Sequence, residues 1–208
     1  MRRLLAAALL IFAIPAQASW WGEFWQAYAG NLHTRCSSPL APSTYDLSIY
    51  RAAHTYWAPQ RTAYWCTMKS QMWAESDFRP AVVSHVGAEG LAQFMPATWK
   101  EVAAELSITL PATDPGAAIK AQAYYMEHLS SKWSSRRPEA CRLRLAMASY
   151  NAGFGNILKA QRLALMTPCW DTIQKGLPEV TGRHSEETIG YVDRIDRQYE
   201  QLTGSPLQ

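Results

Sequence analysis

The chain has 208 residues, with 20 Lys and Arg against 17 Asp and Glu, a length that suits one domain or one domain with a short extension. Arg2 and Arg3 belong to a leader-like start, and without them eighteen cations face seventeen anions, a net of +1. A balance so near neutral, with Arg136-Arg137 a mere doublet and no basic run, gives no electrostatic footprint for nucleic acid and reads as a solvated surface.

Residues 1–18 read as a secretory signal. Arg2 and Arg3 form its charged start, Leu4 to Ile14 its apolar core, and Ala16-Gln17-Ala18 a small-residue cleavage site. The apolar core is far shorter than the ~20 residues a helix needs to cross a bilayer, so no stable anchor is expected after cleavage. Cys36 lies too far along for lipoprotein processing. Residues 19–44 form an aromatic extension, in which Trp21, Phe24, Trp25 and Tyr28 share one helical face. Packing onto the domain is the plain reading of that face. A sugar-stacking shelf or a partner-docking helix are sharper ones, and the scarcity of Lys and Arg nearby weighs against a membrane surface.

Helices are expected over 45–57 and 61–75, with Pro59 between them and Glu75 at the end of the second. Residues 76–94 hold Pro80, Gly87 and Gly90 and read as irregular or as a small β segment. Pro96 opens the next helix, on which Trp99, Val102, Ala103 and Leu106 keep helical spacing. Asp114-Pro115 is a cap followed by a first-turn proline, and Ile119, Ala123, Met126 and Trp133 continue the pattern. Pro138 starts a helix through Leu145 to Ser149, which Gly153 and Gly155 break. Residues 167–183, crowded with Pro168, Gly176, Pro178 and Gly182, read as a loop. Ser185, followed by Glu186 and Glu187, caps a last helix carrying Ile189, Val192 and Ile195.

Cys36, Cys66, Cys141 and Cys169 make an even set, which in an exported chain points to disulfides. Three pairings are possible. Cys36–Cys66 with Cys141–Cys169 is favoured because each closes a modest loop, worth about 3–4 kcal/mol. No Cys-x-x-Cys or nearby His spacing supports a metal, and the five histidines are scattered. Ser84-His85 lacks a placed acid and oxyanion hole for a hydrolase pair.

The most informative stretch is ESDFRPAVVSHVGAEGLAQFMP, from Glu75 to Pro96. Glu75 lies among Trp73 and Phe78, where desolvation disfavours the charged carboxylate. A pKa near about 6, against about 4.3 for a free Glu, leaves such a group able to give its proton to a leaving oxygen. That is the general-acid half of glycoside cleavage. Asp77 and Glu89 offer no defensible second carboxylate.

This stretch resembles the soluble lytic transglycosylase (SLT) domain of the lysozyme superfamily. The family pattern Glu-Ser-x-Phe-x-Pro, then Ser-x-x-Gly-Ala-x-Gly-Leu-Met-Gln-x-Met-Pro, falls here without a gap on Ser84, Gly87, Ala88, Gly90, Leu91, Gln93, Met95 and Pro96. A second block is Ser149-Tyr150-Asn151-Ala152-Gly153, and a third is Glu187, Thr188, Tyr191 and Val192. Ala92 departs from the pattern, standing where the family has Met, and implies a lost apolar contact with a sugar.

The resemblance implies a mainly α, lysozyme-like single domain over 45–205, with a small irregular or β insert beside the active-site cleft. It implies Glu75 as sole acid and then base, with Ser84 and Tyr150 placing hydroxyls near it. Gln93 would bind sugar, Met95 would floor the sugar ring, Asn151 and Gly153 would shape the turn, and Glu187 and Tyr191 would line the groove. The substrate would be peptidoglycan glycan strands, cut in the periplasm between N-acetylmuramic acid and N-acetylglucosamine with 1,6-anhydro ends and no cofactor or metal. A secretion, conjugation or pilus assembly is the expected partner. A water-using muramidase and a non-catalytic glycan-binding or scaffold module are the rivals.

Overall fold

The computed structural model describes residues 36–42, 44–165 and 168–208. The expected signal at 1–18 and the aromatic face from Trp21 to Tyr28 lie outside the described residues. Helix α1 runs Asp46–Tyr56 and ends on Trp57, whose indole N–H reaches Ala123 O at 3.0 Å. The expected helix over 61–75 is instead two pieces, a 3-10 turn over Pro59–Tyr64 and α2 over Cys66–Ser76. The break has a cause in Arg61. Its guanidinium is buried in the turn and bonds Glu127 at 2.5 Å and Glu139 at 3.0 Å, drawing this segment onto two later helices.

Pro96 opens α3, Pro96–Glu105. Asp114 caps α4, Pro115–Lys132, by accepting the Ala117 N–H at 2.8 Å. Helix α5 spans Glu139–Ala152 and stops where Gly153 takes a positive φ of 84°. Gly155 does not break the chain further, because α6, Phe154–Leu163, starts at once and contains it.

The expected loop over 167–183 is largely helical. It holds α7, Trp170–Ile173, a 3-10 turn at Gln174–Gly176, and α8, Leu177–Thr181, with Pro178 in its first turn. Gly176 lies so close to α6 that a Cβ there would meet Ala160 O at 3.0 Å. Its role is close packing. The last helix, α9, runs His184–Thr203. Ser185 lies inside its first turn and donates back to Gly182 O at 2.7 Å, so it is not the cap.

Among the described residues no strand forms, and the 77–95 insert carries only the isolated bridges Val83–Glu89 and Glu89–Phe94. Helix α2 runs through the middle of the core. Every residue from Cys66 to Met72 is buried, and α9 packs along its length. Lys69 on α2 is one of these, and its ammonium meets Asp46 at 2.7 Å and Cys36 O at 3.2 Å. Burying a charge is costly without such partners. The cysteines divide unequally: Cys141–Cys169 is a disulfide, whereas Cys36 and Cys66 are buried thiols joined by a hydrogen bond. The expected second bridge is therefore absent from the structure.

Candidate active site

The site grows from the C-terminal end of α2. Asp77 and Phe78 both take left-handed backbone, with φ of 53° and 56°. Asp tolerates that conformation, but a bulky residue rarely does. Phe78 offsets the strain by burying its ring, whose centroid lies 6.4 Å from that of Trp73. Two left-handed residues in a row turn the chain sharply, and Glu75 stands one step inside the turn.

The insert is then pinned to the helical body. Ser76 Oγ donates to Leu91 O at 2.9 Å, and Gly90 N–H reaches Val82 O at 2.9 Å. Ser84 Oγ accepts the Ala88 N–H at 2.9 Å, so its hydroxyl caps the loop. Gln93 Nε2 donates to Gly90 O at 2.9 Å and Val82 O at 3.2 Å, so one end of its amide braces the turn. Tyr150 Oη donates to Ala92 O at 2.7 Å and ties α5 to the same segment. Ala92 itself is fully buried among Phe94, Val102 and Ala121. Its side chain faces the core, so the departure from the family Met alters packing rather than a sugar contact.

Glu75 is partly buried. Tyr191 from α9 donates its hydroxyl to Glu75 Oε1 at 2.5 Å, and Gln71 from α2 donates Nε2 to the same tyrosine oxygen at 2.9 Å. Desolvation drives the Glu75 pKa up to about 8, with Glu187 pushing the same way. The Tyr191 bond and the charge of Arg194 pull it back. The net rise exceeds the value near 6 expected from the sequence, and a carboxyl with this pKa is mostly protonated at neutral pH. Burial also raises Tyr150 and Tyr191 well above the ordinary phenol value, and the Glu75 charge adds to both shifts. These phenols stay neutral donors.

Asn151 Oδ1 accepts from Thr188 Oγ1 at 2.7 Å, joining the end of α5 to α9. Both residues line a cavity of about 400 Å³ with Asn156, Thr181, His184 and Glu187. Met95 is 44% exposed at the start of α3. The structure thus brings Tyr150, Tyr191 and Glu187 into electrostatic reach of Glu75, while the Ser84 and Gln93 side chains bond within the insert. Sequence reasoning missed Gln71 and Arg194. Gln71 carried a readable signal, since it lies one helical turn before Glu75 and so shares its face. Among the described residues no three His, Cys, Asp or Glu side chains converge to hold a metal ion.

A mainly α body whose central helix ends at Glu75, with its raised pKa, and runs on into a pinned irregular insert has a lysozyme-like fold. The chain belongs to the transglycosylase SLT domain family, whose model matches residues 56–168, more than half of its length. It is 27% identical over 153 residues to a membrane-bound lytic murein transglycosylase F of Shewanella loihica, covering 66% of this chain and 31% of the relative. The structure of an inactive mutant of the lytic transglycosylase Slt from Pseudomonas aeruginosa superimposes with a TM-score of 0.60 at 25% identity, covering 79% of this chain and 25% of that one. The 70-kDa soluble lytic transglycosylase of Escherichia coli shares the fold, with a TM-score of 0.58 at 22% identity over 91% of this chain and 28% of its own. The chain thus spans about a third or less of the length of these relatives.

Proposed function

We propose that this chain is a lytic transglycosylase of peptidoglycan, with residues 45–205 as its catalytic domain and Glu75 as acid and then base. One observation carries the reading: in an SLT-family fold, Glu75 holds its proton to a pKa of about 8 beside the tyrosine that steadies its carboxyl. The proton passes to the glycosidic oxygen between N-acetylmuramic acid and N-acetylglucosamine, and the β-1,4 bond to the anomeric carbon breaks. The substrate's own N-acetyl oxygen stabilises the cationic carbon, which answers the shortage of a second catalytic carboxylate. Glu75, now ionised, accepts the proton of the muramic C6 hydroxyl as that oxygen closes on the anomeric carbon. The product ends in 1,6-anhydro-muramic acid, and no water is consumed. Tyr191 stabilises the ionised carboxylate during this second half, and Met95, Tyr150, Asn151 and Glu187 border the glycan.

Residues 1–18 carry the export signal in this reading, and the place of action is the periplasm, where local wall opening would serve an envelope-spanning assembly. Digestion of purified sacculi followed by mass spectrometry of the fragments tests the chemistry. Anhydro ends are expected. Reducing ends would make the protein a muramidase. If no fragments are released by the intact chain, it is a glycan-binding module.

A further inference from the structure

Gln71 is fully buried on α2, in the run from Cys66 to Met72 that faces α9 and the core. An amide in such a place costs free energy unless it is hydrogen-bonded. Its Nε2 spends a proton on Tyr191 Oη at 2.9 Å, and Tyr191 in turn donates to Glu75 Oε1 at 2.5 Å. A phenol has a single proton. With its oxygen accepting from Gln71, that proton is directed at Oε1 of the acid. Oε1 is thereby committed as an acceptor, which leaves Oε2 as the oxygen that carries the acid's own proton.

We propose that Gln71 is a positioning residue: acting through Tyr191, it fixes which oxygen of Glu75 bears the transferable proton. The inference rests on the transglycosylase reading and adds a residue to it. One directional chain, Gln71 to Tyr191 to Glu75, suits both halves of the reaction. Oε1 accepts as a carbonyl oxygen while Glu75 is an acid, and as a carboxylate oxygen once it is a base. Donation into Tyr191 polarises its O–H and strengthens the bond to Glu75. The other ionisable groups acting on Glu75 are Arg194 and Glu187 on α9 and Tyr150 on α5, and none of them bonds Gln71.

The test reads the titration of the Glu75 carboxyl carbon by NMR, assigned with Glu75→Gln, in the intact protein and in Gln71→Met, Tyr191→Phe and the double variant. Alongside it runs the pH profile of sacculus digestion. Gln71→Met weakens the donation that favours ionised Glu75, so the midpoint should rise by about half a pH unit and the alkaline limb of the rate should move with it. In the Tyr191→Phe background the same substitution should add no shift. If Gln71→Met does not fold, Gln71→Leu takes its place, and a melt checks each variant first. A Glu75 midpoint that stays put, or a Gln71 shift that survives the loss of the Tyr191 hydroxyl, overturns the proposal. A coupled shift in a protein that releases no anhydro fragments keeps the relay and sinks the transglycosylase reading instead.

Discussion

Glu75 shows how a desolvated acid is held at the expense of the fold. Its native pKa of about 8 lies above the ordinary 4.5, and burial is the main cause. The folded chain therefore keeps this proton to a higher pH than the unfolded chain does. Between those two values stability falls as pH rises, by up to about 1.4 kcal/mol per unit. Glu75→Gln cannot ionise and escapes that loss. Thermal melts should show the variant gaining on the parent as pH rises from about 4.5 to about 8 and holding that gain above it, while digestion of sacculi falls by roughly 10²–10⁴-fold. The parent's own digestion rate should decline as pH climbs through about 8, because the acid is then spent. A Glu75→Gln melt that tracks the parent across this range would place the carboxyl in water. The sequence already marked this residue, since an acid between Trp73 and Phe78 implies desolvation. It did not show the size of the shift, which depends on Tyr191, Glu187 and Arg194 from a helix more than a hundred residues away.

Helix α2 and the insert after it act as one device, and their legibility differs. Pro96 and Asp114-Pro115 fixed two helix starts correctly because a first-turn proline and a capping carboxylate act locally. Residues 167–183 were misread for the opposite reason. Their prolines and glycines mimic a loop, whereas Pro178 begins a short helix and Gly176 serves tight packing on α6. Ala92 was misplaced too, because a motif reports spacing and not which way a side chain turns. Gly90 is a turn glycine whose need is now specific. Its φ is +77°, and a Cβ would stand 2.0 Å from Ala112 O, a backbone atom that cannot step aside. Gly87 shares the positive φ but has nothing within 4 Å. Gly90→Ala should therefore cost about 2–4 kcal/mol and displace the insert from Glu75, whereas Gly87→Ala should cost about 1 kcal/mol. Melts and digestion rates of the pair measure the difference, and equal losses would mean that the close approach at Ala112 is not rigid.

Across the whole molecule, α9 returns the end of the chain to α2, and the cysteines secure the two sides of this body differently. Cys141 on α5 is bonded to Cys169 just before α7, at a sequence separation of 28, and clamps α6 and its turn between them. In the loop-entropy account that bridge is worth about 3–4 kcal/mol. On the other side Cys36 and Cys66 remain thiols in contact with each other. Burial raises the Cys36 thiol far above its usual range, with the Cys66 hydrogen bond and charge adding to the shift, so its reactive thiolate is suppressed in the folded protein. Two readouts follow from this division. A thiol reagent should label the native protein slowly and the unfolded, unreduced protein quickly, at Cys36 and Cys66 alone. Reductant should lower the melting temperature through Cys141–Cys169, and it should do nothing further in a Cys141→Ala/Cys169→Ala variant. An unfolded chain that offers no thiol before reduction would instead carry the second bridge that the spacing of its cysteines led one to expect, and reductant would then destabilise that double variant as well.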